Sequence, residues 1–201
     1  MSARLTAAFP NDRAALVTFI TAGDGAFAVI AEALGKQDQA LAVLRTGSGS
    51  APAKDAKLPQ TKAPATAADL KAIDAVALPQ RAADRTLVLE LTGGMEKYDW
   101  AINGKRMDMD RPMRDALGIA EGERIALEFK NSTTMWHPMH LHGHTYQLPD
   151  GGPRKDTAIV LPGTTLRVEF DADNPGRWLT HCHNVYHGEA GMMAAVAYQQ
   201  G

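Results

Sequence analysis

All seven histidines and the one cysteine of this 201-residue chain fall in two short stretches. The first reads W-H-P-M-H-L-H-G-H and supplies His137, His140, His142 and His144. The second, Trp178 to Met193, reads W-L-T-H-C-H-N-V-Y-H-G-E-A-G-M-M and supplies His181, Cys182, His183, His187 and Met192. In an extended segment, side chains alternate faces. His181 and His183 then share one face and Cys182 takes the other; His140 and His142 likewise share a face. Two imidazole pairs from neighbouring strands can converge on metal while Cys182 faces a separate pocket. There His137, Cys182 and His187 offer two imidazoles and a thiolate, and Met192 a weak thioether. This is the donor set of a blue-copper electron-transfer centre. Taken singly, each residue has a plainer use, since a lone buried Cys packs as a small hydrophobe. The set together has none. Zinc is the rival metal, but zinc gives no reason for the Met or for the H-C-H triplet.

The elements that must position these residues read as short strands. Thr86 to Leu91, Tyr98 to Asn103, Gly122 to Asn131, Asp156 to Leu161, Thr165 to Phe170, Arg177 to His183 and Met193 to Tyr198 are strand-like, and Trp136 to Leu148 carries the first histidine cluster. Asn103-Gly104 and Pro162-Gly163 are turn signals between them. Many short strands with frequent turns predict an all-β Greek-key sandwich or barrel. Upstream, Ala14 to Thr21 and Ala26 to Ala33 flank Gly23-Asp24-Gly25 as a hairpin, and Ala40 to Arg45 reads as a third strand. Gly47 to Ala67 is rich in Gly, Ser, Pro, Ala and Lys, as an extended linker is. Thr66 to Ala75 reads as a short helix with Thr66 as N-cap. The expected division is residues 1–46, then a linker over 47–83, then a domain over 84–201 that holds every chemistry-bearing motif.

Composition narrows the functions. The formal net charge is -2. With no basic block, nucleic acid is not an expected partner. One cysteine excludes an intrachain disulfide. No apolar run is long enough to span a membrane. Ala14 to Ile20 is apolar, but Pro10 and Asp12 precede it and positive charge is sparse, so the N-terminus does not read as a signal peptide.

The motifs H-P-M-H-L-H-G-H and H-C-H-N-V-Y-H-G-E-A-G-M-M resemble the two C-terminal copper motifs of the multicopper oxidases, the laccases and copper-resistance oxidases. The resemblance runs from about Thr86 to Tyr198. It implies a cupredoxin-like Greek-key domain, preceded over residues 1–46 by the end of a second, partial cupredoxin-like domain. It implies copper as cofactor, with His137, Cys182, His187 and axial Met192 holding the type 1 ion, His140 serving type 2, and His142, His181 and His183 serving the type 3 pair. His144 matches a position that is not a ligand in the family. The implied activity is single-electron oxidation of phenols, aromatic amines or cuprous ion, with reduction of dioxygen to water. Catalysis would centre on Cys182, His181 and His183, because the triplet links one copper to two others through the backbone. Export to the periplasm or cell surface is the implied location.

Three further residues invite functional readings. The acid that some family members carry directly after the second type 1 histidine is replaced here by Gly188, and Glu189 follows it as a candidate proton donor. Asp156 reads as a loop or strand-start residue, with substrate or proton handling as its alternative. Met107, Met109 and Met113 read as a partly packed loop, with a copper-collecting patch as the alternative.

The resemblance also sets a shortage. The family's trinuclear cluster takes eight histidines, and this chain offers four: His140, His142, His181 and His183. No histidine precedes His137. Type 2 and type 3 copper are therefore expected only if a missing N-terminal domain, or a partner chain bearing two H-x-H motifs, supplies the rest. The alternative function is a non-enzymatic cupredoxin-like copper binder or electron carrier.

Overall fold

A computed structural model describes residues 15–21, 26–33, 39–45 and 67–199. The chain divides into two compact units, Met1–Pro64 and Ala65–Gly201. In the first, β1 (Ala15–Thr21), β2 (Ala26–Ala33) and β3 (Gln39–Arg45) form an antiparallel three-stranded sheet in the order β1-β2-β3. The hairpin and third strand expected there are thus formed. The Gly23-Asp24-Gly25 turn, the candidate N-cap Thr66 and the linker-like stretch up to Thr66 lie outside the described residues.

The second unit begins with a single 3-10 turn, Ala67–Asp69, where a short helix was expected. The residues after it are tied down one by one. Ala72 N–H donates to the Gly151 carbonyl at 3.0 Å, and Leu78 N–H donates to Gln147 Oε1 at 2.7 Å.

Eleven strands follow, β4 (Arg85–Thr92), β5 (Ala101–Ile102), β6 (Leu117–Ile119), β7 (Arg124–Asn131), β8 (His137–Leu141), β9 (Tyr146–Gln147), β10 (Arg154–Lys155), β11 (Thr157–Val160), β12 (Thr165–Asp171), β13 (Arg177–Cys182) and β14 (Met193–Tyr198). One helical turn, α1 (Val185–Glu189), interrupts them. They form a six-stranded sheet, β10-β9-β12-β7-β4-β5, and a five-stranded sheet, β11-β8-β13-β14-β6. One buried cluster is shared between them. Leu89, Leu91, Ile125, Leu127, Phe129, Val168 and Phe170 come from the first sheet, and Met139, Leu141, Val160, Cys182 and Val196 from the second. This is the two-sheet all-β sandwich that the strand pattern predicts. No helix among the described residues is long and apolar enough to cross a membrane.

Local sequence explains the pattern. β4 buries Leu89 and Leu91 while Val88 before them is half exposed and Glu90 between them is partly exposed, the alternation of a strand with one face on the core. β7 is buried along most of its length because it sits between β4 and β12, in parallel and antiparallel pairing respectively. Its first residue, Arg124, is buried yet charged. Asp171, its register partner on β12, answers it with two contacts, Nε to Oδ1 at 2.7 Å and Nη2 to Oδ2 at 3.1 Å.

The five-stranded sheet carries candidate donors. β13 lies between β8 and β14, with His181 opposite His140 and Cys182 opposite Met139. Met139, Leu141 and Cys182 are inside; His140 and His181 are on the other face. The period of two sorts thiol from imidazole as the triplet predicts.

Candidate metal centre

Two groups of donors assemble on opposite sides of the five-stranded sheet. The inner group is His137, Cys182 and His187, all at most 2% exposed. His137 starts β8, Cys182 ends β13, and His187 comes from α1. The helical turn faces His187 inward and returns the chain at once. Met192 N–H donates to the His187 carbonyl at 2.9 Å, and Cys182 N–H to the Met192 carbonyl at 3.1 Å. Gly188 is needed in that loop, because a Cβ there would lie 2.9 Å from the Cys182 carbonyl oxygen. The acid that some family members carry at this place has no room here. Gly191 sits at φ 120°, a conformation that favours glycine. Met192 is fully buried.

The three donor atoms form a triangle. Nδ1 of His137 and Nδ1 of His187 are 3.1 Å apart, and Cys182 Sγ is 3.6 Å from the first and 3.8 Å from the second. A point equidistant from these three atoms lies about 2.0 Å from each, close to the ~2.0–2.3 Å bonds that a first-row metal makes to imidazole nitrogen and thiolate sulfur. The triangle therefore has the size for one such ion, and the two-imidazole, one-thiolate set fits copper. Trp100 stacks on His187 at 4.0 Å between ring centroids and stands edge-on to His137 at 5.4 Å, closing the pocket with an apolar wall.

Burial sets the protonation of the three donors. It pushes His137 and His187 down to about 4, the neighbouring imidazole adding to the effect on His137. It pushes the Cys182 thiol up to about 12. A charged form of any of them has lost its water without gaining a counter-charge.

The outer group is His140, His142 and His181, whose donor atoms lie within 4.8 Å of one another. His183 joins its rim, its ring 4.5 Å from that of His140 and 5.1 Å from that of His181. Backbone carbonyls fix two tautomers. His140 Nδ1 donates to the Asp156 carbonyl at 2.8 Å, and His181 Nδ1 to the Cys182 carbonyl at 3.0 Å. Their Nε2 atoms are left as acceptors, and that of His181 is 3.0 Å from His142 Nε2. These histidines are partly or fully open, unlike the inner three. Desolvation lowers the pKa of His142 and His183, aided by the neighbouring imidazoles.

Other sequence candidates are placed plainly. His144 belongs to neither group; it is buried, with Nε2 2.8 Å from the Tyr198 hydroxyl. Glu189 is exposed and lines a cleft of about 310 Å³ with His181, Cys182 and His183. Asp156 contributes its carbonyl to His140 and sits between β10 and β11. Met109 is 68% exposed, while Met107 and Met113 are half-buried. The methionine loop is anchored on the ligand loop through Arg106 Nε to the Ala190 carbonyl and Met107 N–H to the Gly191 carbonyl. Sequence reasoning missed Trp100, Thr133 and Asn131. Trp100 reaches the inner histidines from a distant segment, whereas Thr133 lies four residues before His137 and Asn131 touches Thr133 rather than a histidine; the residue spacing marks none of the three.

Comparison with known proteins gives the family and the fold. A sequence profile described as multicopper oxidase matches residues 80–201. The chain is 41% identical over 184 residues to the multicopper oxidase MmcO of Mycobacterium tuberculosis, covering 89% of this chain and 36% of that protein. It is 40% identical over 120 residues to copper resistance protein A of Escherichia coli, covering 58% of this chain and 19% of that protein. The chain thus spans about a third or less of these relatives' lengths. The crystal structure of a laccase from Botrytis aclada superposes with a TM-score of 0.63 at 19% identity, covering 88% of this chain and 41% of that one. At that identity the likeness speaks for the fold alone, which is the cupredoxin-like one.

Proposed function

This chain belongs to the multicopper oxidase family, and from that premise we propose that it forms the part of an oxidase holding a complete type 1 copper site and half of a trinuclear site. His137, Cys182 and His187 would hold the type 1 ion, and the buried Met192 thioether would be its weak fourth donor. His140 serves the type 2 ion, and His142, His181 and His183 serve the type 3 pair. Copper held there would supply one-electron redox chemistry, suited to oxidising a phenolic or aromatic substrate or cuprous ion with reduction of dioxygen to water.

The chain's own residues do the rest. The inner triangle holds its donors neutral and dry, and Trp100 keeps water from the His187 face. Cys182 shares peptide bonds with His181 and His183, so a short covalent path joins the buried site to the open face. Glu189, beside His181 and His183 in one cleft, is the proposed proton donor for dioxygen reduction. The remaining histidines of the trinuclear site come from residues outside this chain, in a preceding domain or a partner. Residues 1–46 are the end of a second cupredoxin-like domain, with a linker over 47–83. The site of action is the periplasm or cell surface.

The observation that carries this reading is the donor triangle of His137, Cys182 and His187. Copper content and visible and EPR spectra of the copper-loaded chain test it. About one tightly held copper with an intense blue band is the expected result. A chain that folds but shows no blue band overturns the type 1 assignment. A blue chain that oxidises no substrate even with its missing histidines supplied is an electron carrier instead.

A further inference from the structure

His137 has two ring nitrogens, and only one can face the donor triangle. Nδ1 does so. Nε2 lies 2.7 Å from the hydroxyl oxygen of Thr133. A neutral imidazole carries its proton on one nitrogen and a lone pair on the other. A metal at the triangle needs the lone pair on Nδ1, and so needs the proton on Nε2.

The surroundings favour this before any metal arrives. Asn131 Nδ2 faces two backbone carbonyls, Met135 at 2.7 Å and Val160 at 3.1 Å. Carbonyls only accept, so the amide cannot be turned the other way. Asn131 Oδ1 must then face Thr133, and it accepts from the Thr133 N–H at 2.9 Å. The Thr133 hydroxyl has two acceptors for its proton, Asn131 Oδ1 at 2.8 Å and the Met135 carbonyl at 3.1 Å. Neither can donate. Met135 N–H occupies one hydroxyl lone pair at 3.2 Å. The remaining lone pair points at His137 Nε2 and can only accept. With the hydroxyl proton given to Asn131 Oδ1 or to the Met135 carbonyl, the hydroxyl accepts from His137, and the ring proton stands on Nε2. All three side chains are at most 8% exposed, so water does not compete for these bonds.

We propose that Thr133, held by Asn131, is a positioning residue that locks metal-free His137 as the Nε2–H tautomer and so presents a ready Nδ1 lone pair to copper. The inference rests on the type 1 reading for its purpose. Its physical content is independent of copper, which separates the two tests.

Long-range nitrogen–proton NMR on the copper-free 201-residue chain reads the tautomer directly. A single Nε2–H form is expected for His137, and a predominant Nδ1–H form overturns the lock even if the copper-loaded chain is blue. Thr133→Val keeps the shape and removes the hydroxyl. It is expected to give a tautomer mixture, a shifted blue band and a copper affinity lower by roughly 10–100-fold. Thr133→Ser is expected to restore all three. A Thr133→Val chain that keeps the wild-type tautomer and affinity overturns the proposal. If Thr133→Val does not fold, the wild-type spectrum and the smaller Thr133→Ala variant decide in the same way.

Discussion

Neutral donors make the inner site a poor base and a good ligand cage. With His137 and His187 down to about 4, protons do not compete for their nitrogens near neutrality. The Cys182 thiol, raised to about 12, must give up its proton when copper enters. Copper uptake at pH 7 is therefore expected to release about one proton per bound ion, measurable in a weakly buffered indicator solution. The same shifts act on metal-free stability. Each histidine has a folded pKa below its unfolded value of 6.5, so the unfolded state binds more protons between the two. Stability is full above about 6.5 and falls as pH drops toward 4, by a few kcal/mol for the pair. Urea melts of the copper-free chain at pH 7 and pH 5 check the sign, and equal midpoints would contradict it. Met192 offers a second residue-level test. Met-to-Leu conserves volume, so Met192→Leu is expected to cost less than about 1.5 kcal/mol. If Met192 is only core, the blue centre stays unchanged. If its thioether is the axial donor, the blue band survives and the reduction potential rises, because a donor to the oxidised ion has been lost.

At the scale of elements, legibility followed locality. The H-C-H and H-L-H spacings told which side chains share a face because strand alternation is strictly local. β13 and β14 came out within a residue or so of their expected bounds for the same reason. β6, only Leu117–Ile119, escaped notice because three residues show no alternation and it exists through parallel pairing with β14. The strand expected over Tyr98 to Asn103 shrank to Ala101–Ile102, since Tyr98 takes φ 52° and Trp100 turns in against the histidines. α1 was invisible because its one turn is held by the loop bonds between Cys182, His187 and Met192 rather than by helix propensity. The Thr133–Asn131 lock was hidden because its geometry depends on where β11 brings the Val160 carbonyl. The Arg124–Asp171 clamp between β7 and β12 is another tertiary feature with a measurable consequence. Asp171→Ala leaves a buried guanidinium without its two-point partner. Breaking a buried pair strands a charge; with Asp171 itself 31% exposed, the expected loss is about 2–3 kcal/mol. Chemical denaturation reads this, and a change within error would show that the Pro79 carbonyl suffices to hold Arg124.

The whole molecule presents two candidate metal sites of unlike completeness. The inner one is closed on all sides by this chain's own residues, and its three donors already stand where one ion needs them. The outer one is four imidazoles on an open face, two with tautomers set by backbone carbonyls and none enclosed. Copper held by two or three exposed imidazoles exchanges readily, whereas copper held in a dry cage with a thiolate does not. Loaded with excess copper and then washed with a chelator, this chain is expected to retain about one ion, the blue one. Ala substitution of His140, His142, His181 and His183 together should leave that ion and its colour in place, while Cys182→Ser should remove both. Retention of more than one ion after the wash, measured by elemental analysis, would mean that copies of this chain close the open face among themselves. Loss of the blue ion in the four-alanine variant would mean that the two faces of the β8–β13 pair do not fold independently. The expected pattern, one firm ion and one open face, is what a chain should show when the rest of its second site lies elsewhere.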